Sequence, residues 1–246
     1  MKDLIRFLLL FLLCGLLWDK IVTAKEDTSP PKPHRRPTLE APLIPEFTLH
    51  HPEPGFFEGI LNNFDAEHNL GEKILIACQI DGIRPVSVEL IAPENADLPL
   101  NLGQLCDLYQ AAQTWQYLND PAGREYFAPP AESHRTHRGD CDDYAIYLAS
   151  LASSIGFESV IGVGFDVSGQ CHAFPEVCLG PMDAEIVEKY VRDRFELDSR
   201  QPVGIRKDSL QHLYLNLDRG QYPGAKPFRG KLILRLFLTD HSIEQF

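Results

Sequence analysis

The sequence has no apolar run long enough to cross a bilayer, no glycine-rich phosphate-binding loop and no surplus of positive charge. Its longest apolar stretch, Phe7 to Trp18, has twelve residues, whereas a membrane-spanning helix needs about 20. Without a phosphate-binding loop, nucleotide chemistry has no support. The formal charge is −12, and a surface of that sign repels nucleic acid and anionic membranes. We therefore expect no nucleic-acid partner. The negative charge could favour basic substrates.

The short apolar stretch is typical of an export signal. Lys2 and Arg6 precede it, and Val22-Thr23-Ala24 supplies small residues for a cleavage site. Residues 1–24 are therefore predicted to be a signal peptide, and the alternative is an uncleaved anchor in which residues 7–24 tether the protein to a membrane. In either case we expect an exported protein that is periplasmic, attached to the cell envelope or secreted.

Two further regions follow the signal. Residues 25–55 hold eight of the 19 prolines and show no periodic apolar pattern, which predicts an extended, semi-rigid linker. Residues 56–246 are long enough for one domain with a sizeable core. Residues 1–24 carry three basic and two acidic residues, so the rest of the chain has a formal charge of −13.

The apolar spacing in the domain predicts an α+β fold in which helices are followed by a mainly antiparallel sheet. A hairpin of strands at 73–80 and 86–92 is expected first, with a short helix as the alternative for 73–80. The strand predicted at 232–238 is apolar on both faces, which is typical of a central strand. The other predicted elements are helices over 102–118, 141–155 and 184–195 and strands at 160–167, 171–177 and 213–218.

Cys141 is the candidate nucleophile, because it opens an amphipathic helix. Asp140 is a good N-cap, acidic residues suit the first turn, and Gly156 ends the helix. A helix N-terminus favours the thiolate over the thiol. The adjacent carboxylates of Asp142 and Asp143 raise the pKa of the thiol, however, so a positively charged partner is needed.

His172 and Asp218 are the candidate partners of this thiol. His172 lies early on the second strand of a hairpin that turns at Ser168-Gly169. Asp218 ends the strand predicted at 213–218. A carboxylate at that position can hold the tautomer and orientation of an imidazole, as the third member of a catalytic triad does.

At these residues the chain resembles the transglutaminase-like superfamily, in particular its bacterial exported cysteine protease or amidase type. Gly-Asp-Cys-Asp-Asp is similar to the nucleophile motif of the family, His-Ala-Phe-Pro-Glu-Val to its His-Ala-Trp-x-Glu-Val strand, and Tyr-Leu-Asn-Leu-Asp to its Asp strand. The likeness covers residues 103–240. It implies a papain-like or transglutaminase-like core with the nucleophile at a helix N-terminus, a catalytic triad of Cys141, His172 and Asp218, and no cofactor.

The chain departs from the family pattern at two positions. Phe174 stands where the family usually has Trp. Pro175 lies in a strand where a backbone donor is expected, although proline is normally confined to edge strands and bulges. Both residues lie close to His172 in the chain, so they bear on the geometry of the predicted base.

Each candidate residue also has a structural explanation. A cysteine is often an inert core residue, His172 could be an ordinary strand histidine, and Asp218 could serve only to form a turn. His134, His137 and Cys141 could together bind zinc. The arginines beside the two histidines would repel a cation, so we expect no metal.

The sequence therefore predicts a thiol-dependent hydrolase or acyltransferase that acts on peptide or glutamine-type amide bonds through a thioester. A protein or peptide substrate is expected. The backbone N–H of Cys141 is the expected first donor to the oxyanion, and a second is expected from the segment 113–116. The alternative is a non-catalytic exported domain that binds a peptide or a component of the cell envelope.

Five cysteines remain outside the predicted signal, and in an exported protein they could form disulfides. Cys171 and Cys178 lie on one extended strand about 23 Å apart and cannot bridge each other. Cys78 with Cys106 is the pairing to consider, and free buried thiols are the alternative.

Overall fold

The computed structural model describes residues 64–98, 100–120 and 125–246. The predicted signal peptide and linker, residues 1–24 and 25–55, lie outside these residues. The described residues belong to the second of the two units into which the chain divides, His51–Phe246. No helix among them is long and apolar enough to cross a membrane.

The first elements of the domain are helices, so the prediction of strands at 73–80 and 86–92 is wrong. Helix α1 is Phe64–Ala77 and helix α2 is Ile80–Leu90. Ile83 and Ser87 are buried four residues apart on α2, which is helical spacing. Asp81-Gly82 lies in the first turn of α2 and does not join two strands.

Pro85 lies inside α2 and removes one backbone hydrogen bond there. The packing of α2 against the helix that begins at Cys141 offsets this loss. The side chain of Arg84 also donates a hydrogen bond to the carbonyl of Ser154, at the end of that helix.

The predicted helix over 102–118 is shorter than expected. After a one-turn helix α3, Pro93–Ala96, helix α4 spans Leu102–Ala111 and continues as a 3-10 turn, Ala112–Thr114. The chain then extends as strand β1, Gln116–Tyr117.

The side chain of Trp115 explains the change from helix to strand. Its indole N–H donates to the carbonyl of Gly139 at 3.1 Å, and its ring stacks on Tyr147 with the ring centroids 5.7 Å apart. A helix α5, Pro130–Thr136, leads into strand β2, Arg138–Gly139, which pairs in parallel with β1. Trp115 is buried as its helical spacing suggested, but on an extended backbone.

Helix α6, Cys141–Ser154, confirms the predicted helix and lies at the centre of the domain. Ala145 and Ala149 pack in one core cluster with α1 and part of the sheet, whereas Tyr144, Leu148 and Leu151 pack in a second cluster with α2, α4 and another part of the sheet. The predicted single apolar stripe is therefore incomplete, because this helix is buried on more than one face.

A six-stranded antiparallel sheet follows α6, which confirms the α+β class. The elements after α6 are β3, Glu158–Asp166; β4, Cys171–Cys178; α7, Ala184–Arg194; β5, Ile205–Lys207; β6, Leu213–Asn216; β7, Gly230–Phe237; and β8, Ile243–Gln245. The strand order in the sheet is β5-β6-β4-β3-β7-β8. The strand predicted at 232–238 is β7, which is paired on both sides, but β8 lies beyond it, so β7 is not central.

Pro175 lies inside the sheet, between β3 and β6, at the point where β4 and β6 separate. The last paired residues of the two strands are Glu176 and Asn216. Beyond that pair, the carbonyl of Pro175 still accepts a hydrogen bond from the N–H of Leu217 at 2.8 Å. Because β6 ends here, the ladder requires no donor from residue 175, and proline is tolerated.

The five cysteines among the described residues are free thiols, so the pairing of Cys78 with Cys106 is not formed. Cys78, Cys106 and Cys178 are buried, whereas Cys141 and Cys171 are partly exposed. Hydrophobic packing, and no covalent cross-link, holds this part of the chain together.

Gly162 on β3 offers a test of the packing. A Cβ at this position would lie 2.4 Å from Cζ of Phe174, so we expect Gly162→Ala to lower the free energy of unfolding by about 1–3 kcal/mol. The matched control is Gly82→Ala on α2, where no atom lies within 4 Å of the added methyl group. Because alanine favours a helix, we expect that variant to be stabilised by up to about 1 kcal/mol. Urea unfolding measures both values, and equal effects would contradict this packing.

Candidate active site

The structure brings His172 and Asp218 together. Nε2 of His172 lies 2.8 Å from Oδ2 of Asp218, and the side chains are 29% and 13% exposed. The other carboxylate oxygen of Asp218 accepts the N–H of Arg219 at 2.7 Å. With both oxygens engaged, the carboxylate has a fixed direction, and Nδ1 of His172 is left for another partner.

Phe174 supports the ring of His172 on the same face of β4. The two rings lie 6.2 Å apart and nearly parallel, and Phe174 in turn stacks on Phe228 with the centroids 4.6 Å apart. Phe174 fills the space above Gly162, its partner residue on β3. The residue that replaces the family's usual Trp is therefore a buried packing partner of the predicted base.

Cys141 stands at the first position of α6, as predicted. Asp140 occupies the N-cap position, but its side chain makes no capping hydrogen bond there. Its sulfur lies beside β4, where the backbone N–H of Ala173 contacts it and lowers its pKa. On a strand, the backbone polar groups of residues two apart point to the same side. The carbonyl of Pro175 points towards β6. The N–H of Ala173, two residues earlier, therefore points to that side as well. Because β6 has ended by this point, the N–H of Ala173 has no strand partner and is available to the sulfur.

The sulfur and the imidazole are not joined in this structure. Among the described residues, no hydrogen bond connects Sγ of Cys141 to the ring of His172. His172 and Phe174 share one face of β4, whereas Ala173 faces α6. The structure therefore pairs two of the three predicted residues and brings the third to the backbone of Ala173, next to His172. The complete triad stays a prediction.

The electrostatic environment disfavours a resting thiolate. Burial raises the pKa of the Cys141 thiol well above its usual value, and the carboxylates of Asp142 and Asp140 raise it further. The sequence anticipated the effect of neighbouring acids, whereas the larger effect of burial became visible only in the structure. The helix N-terminus alone does not ionise this thiol.

The acids around Cys141 form a tight cluster. One carboxylate oxygen from each of Asp140, Asp142 and Asp143 lies within 4.8 Å of the other two. Burial is the main cause that raises the pKa of Asp142, and Asp140 raises it further. Burial also raises the pKa of Asp143 to about 7, although the N–H of Ala128 at 2.7 Å acts to lower it.

Gly139 makes this cluster possible. Its φ of 151° lies in a region that favours glycine. A Cβ there would also lie 2.3 Å from Oδ2 of Asp143. The glycine of the Gly-Asp-Cys motif thus has a steric role beside the nucleophile.

The three aspartates are the group among the described residues that could hold a metal ion. Carboxylate oxygens suit a hard cation such as Ca²⁺. His134, His137 and Cys141 form no such group. Instead, Nδ1 of His134 lies 3.0 Å from the hydroxyl of Tyr147, and Nδ1 of His137 lies 2.7 Å from Oγ1 of Thr114.

The predicted oxyanion donors have different outcomes. No described residue accepts a hydrogen bond from the backbone N–H of Cys141, as expected at an open helix end. The indole of Trp115 is occupied by Gly139, and the amide of Gln113 donates to the carbonyl of Tyr109 at 3.4 Å. Gln116 is exposed. It remains the candidate from the predicted segment.

Sequence reasoning missed two tyrosines at this site. Burial is the main cause that raises the pKa of Tyr117, and the nearby Cys141 contributes next. Tyr109 on α4 is fully buried, and its hydroxyl contacts the loop that carries Asp218. No local motif marks either residue, because each reaches the site through the packing of distant segments.

No family model and no curated protein matches the chain. Solved structures do match. Calcium-bound LapG from Legionella pneumophila is 16% identical with a TM-score of 0.44, over 71% of this chain and 87% of that chain. A second LapG structure, which is EGTA-treated, is 16% identical with a TM-score of 0.42, over 72% of this chain and 85% of the other. A candidate cysteine protease from Cytophaga hutchinsonii is 12% identical with a TM-score of 0.34, over 41% of this chain and 34% of its own length. This chain thus spans about a third of the Cytophaga protein.

Asp143 provides a test of the acid cluster. A carboxyl with a higher pKa in the folded chain makes stability fall as pH rises between the unfolded and folded values, here from about 4 to about 7. We expect Asp143→Asn, which keeps an oxygen for Ala128, to reduce this slope and to raise the free energy of unfolding at pH 7.5 by about 1 kcal/mol or more.

Urea unfolding at several pH values, in the presence of EDTA, measures this effect. Asp97→Asn replaces an exposed carboxylate and serves as the control. An Asp143→Asn variant with the same slope as the unmodified protein would show that the buried carboxylate does not resist ionisation.

Proposed function

We propose that the chain is an exported thiol hydrolase or acyltransferase of the transglutaminase-like type. Cys141 is its nucleophile, His172 its base and Asp218 the residue that orients His172. The observation that supports this proposal most directly is the 2.8 Å contact between Nε2 of His172 and Oδ2 of Asp218, beside a cysteine at a helix N-terminus. A carboxylate in that position stabilises an imidazolium.

In the proposed reaction, Nδ1 of His172 takes the proton of the Cys141 thiol as the sulfur attacks the carbonyl carbon of an amide. The backbone N–H of Cys141 stabilises the oxyanion. The tetrahedral intermediate then collapses, the C–N bond breaks, and the leaving amine takes the proton from His172. Water or a second amine attacks the resulting thioester and releases Cys141 as the thiol.

The raised pKa of Cys141 fits proton transfer during the attack better than a preformed thiolate. A neutral thiol becomes a strong nucleophile when a neighbouring base removes its proton in the transition state. In this proposal, the His172 ring and the sulfur must come within hydrogen-bond distance for the proton to be transferred. Asp218 would stabilise the imidazolium that forms.

The surface next to the thiol suits a polypeptide substrate. Tyr117, the last residue of β1, and Leu118, which follows it, expose apolar surface. Tyr126, on the chain that leads to α5, does so as well. An extended peptide could pack against these side chains and present an amide to Cys141. We favour hydrolysis over transamidation, because water is always available and no feature of the sequence marks a site for an amine.

Alkylation by iodoacetamide at pH 7 tests the thiol and its base without a known substrate. We expect Cys141 to react at least about tenfold more slowly in a His172→Gln variant, because the base that assists its deprotonation is lost. The reaction is followed by mass spectrometry of the peptide that carries Cys141.

His212→Gln is the matched control. Nδ1 of His212 lies 3.4 Å from Oδ2 of Asp208, so this variant also disrupts a His–Asp pair, but at the opposite end of β6. Once a peptide library yields a substrate, we expect Cys141→Ala to lose activity by a factor of about 10³ or more. Full activity in Cys141→Ala, or equal alkylation in His172→Gln and the unmodified protein, would overturn the proposal.

A non-catalytic domain that binds a peptide or an envelope component is the second candidate. It is favoured by the raised pKa of the Cys141 thiol and by the missing hydrogen bond to His172. In that case Cys141 reacts no faster than a free thiol of ordinary pKa, and replacing His172 does not change the rate.

A further inference from the structure

Asp218 lies beyond the end of β6, where no strand ladder fixes its backbone. The last link between the two strands is the bond from the N–H of Leu217 to the carbonyl of Pro175. The N–H of Asp218 then donates to Oδ1 of Asn216 at 2.9 Å, which turns the chain away from the sheet. The direction of the Asp218 carboxylate therefore depends on contacts made by the loop 218–222.

The hydroxyl of Tyr109 makes three of these contacts. It lies 3.2 Å from the carbonyl oxygen of Asp218 and 3.0 Å from that of Tyr222, and it accepts the N–H of Gly220 at 3.1 Å. The two carbonyls share its proton, and an oxygen lone pair receives the N–H. One buried oxygen thus ties together the two ends and the middle of the loop.

Tyr109 is well suited to hold the loop in place. Its side chain is 0% exposed, and its ring meets Phe195 edge-on with the centroids 6.2 Å apart. Burial raises the pKa of its hydroxyl, so it stays protonated and can donate. Gly220 lets the loop fold back closely on itself, since a Cβ there would lie 2.7 Å from Cβ of Ala225.

We propose that Tyr109 is a positioning residue that acts through Asp218. Its hydroxyl holds the loop 218–222 so that the carboxylate of Asp218 meets Nε2 of His172. This inference rests on the proposed function, in which His172 is the base. Tyr109 touches neither the sulfur nor the imidazole, so its effect on Cys141 must pass through the Asp218–His172 contact.

Tyr109→Phe removes the hydroxyl and keeps the ring. Without the hydroxyl, the loop is free to shift, and the carboxylate meets the imidazole less closely. We expect the ¹⁵N signal of Nε2 of His172 to shift towards that of an imidazole without a carboxylate partner, because its hydrogen bond to Oδ2 of Asp218 lengthens. We expect alkylation of Cys141 at pH 7 to slow by about three- to tenfold, since a small misplacement of a catalytic group is costly.

NMR spectra of the ¹⁵N-labelled imidazoles measure the first quantity. The signal of His172, one of nine histidines, is assigned by its absence in His172→Gln. Tyr144→Phe is the matched control, because among the described residues the hydroxyl of Tyr144 is buried and has no hydrogen-bond partner. Tyr144→Phe should leave the Nε2 signal of His172 and the alkylation rate unchanged.

A merely structural role for Tyr109 is tested in the background of Asp218→Asn. If Tyr109 acts through Asp218, adding Tyr109→Phe to Asp218→Asn changes neither the Nε2 signal of His172 nor the alkylation rate any further. If Tyr109→Phe lowers the melting temperature but leaves the Nε2 signal of His172 unchanged, or if its effect on that signal is the same in both backgrounds, the proposal is wrong.

Failure of this inference is distinguishable from failure of the proposed function. The Nε2 signal of His172 reports the Asp218–His172 contact whether or not the protein is an enzyme. If His172→Gln leaves the alkylation of Cys141 unchanged, the proposed function fails. If only the effect of Tyr109→Phe on the Nε2 signal of His172 is missing, the proposed function stands and Tyr109 has no positioning role.

Discussion

The site depends on the separation of β4 from β6 at Pro175. If the two strands stayed paired beyond Asn216, the N–H of Ala173 would enter the ladder, and the backbone after β6 would continue along β4. Because β6 ends instead, the N–H of Ala173 is directed at the sulfur of Cys141, and Asp218 turns towards His172. The end of β6 at this point thus makes room for two contacts of the candidate site.

Much of the fold was predictable, because several elements carry strong local signals. The helix that begins at Cys141 has an N-cap, acids in its first turn and apolar residues at helical spacing. The hairpin of β3 and β4 has β-branched runs on either side of a Ser-Gly turn. The pairing of His172 with Asp218 followed from their positions on strands and from the order of the three motifs.

Other features were not predictable, because they depend on contacts between distant segments. α1 and α2 were assigned as strands because the Asp81-Gly82 turn signal and the β-branched residues outweighed a weak helical pattern. The end of α4 is fixed by the bond from Trp115 to Gly139, and the contacts of Tyr109 join residues more than 100 positions apart. The burial that raises the pKa of Cys141 likewise results from the packing of α6 against the sheet.

The free thiols have a consequence for how the protein reaches its folded state. If the chain is exported as proposed, Cys78, Cys106 and Cys178 meet an oxidising compartment before the core closes around them. Once buried they are protected, since oxidants react with accessible thiolates. These cysteines are then most easily oxidised between translocation and folding of the core. Rapid folding reduces the formation of non-native disulfides.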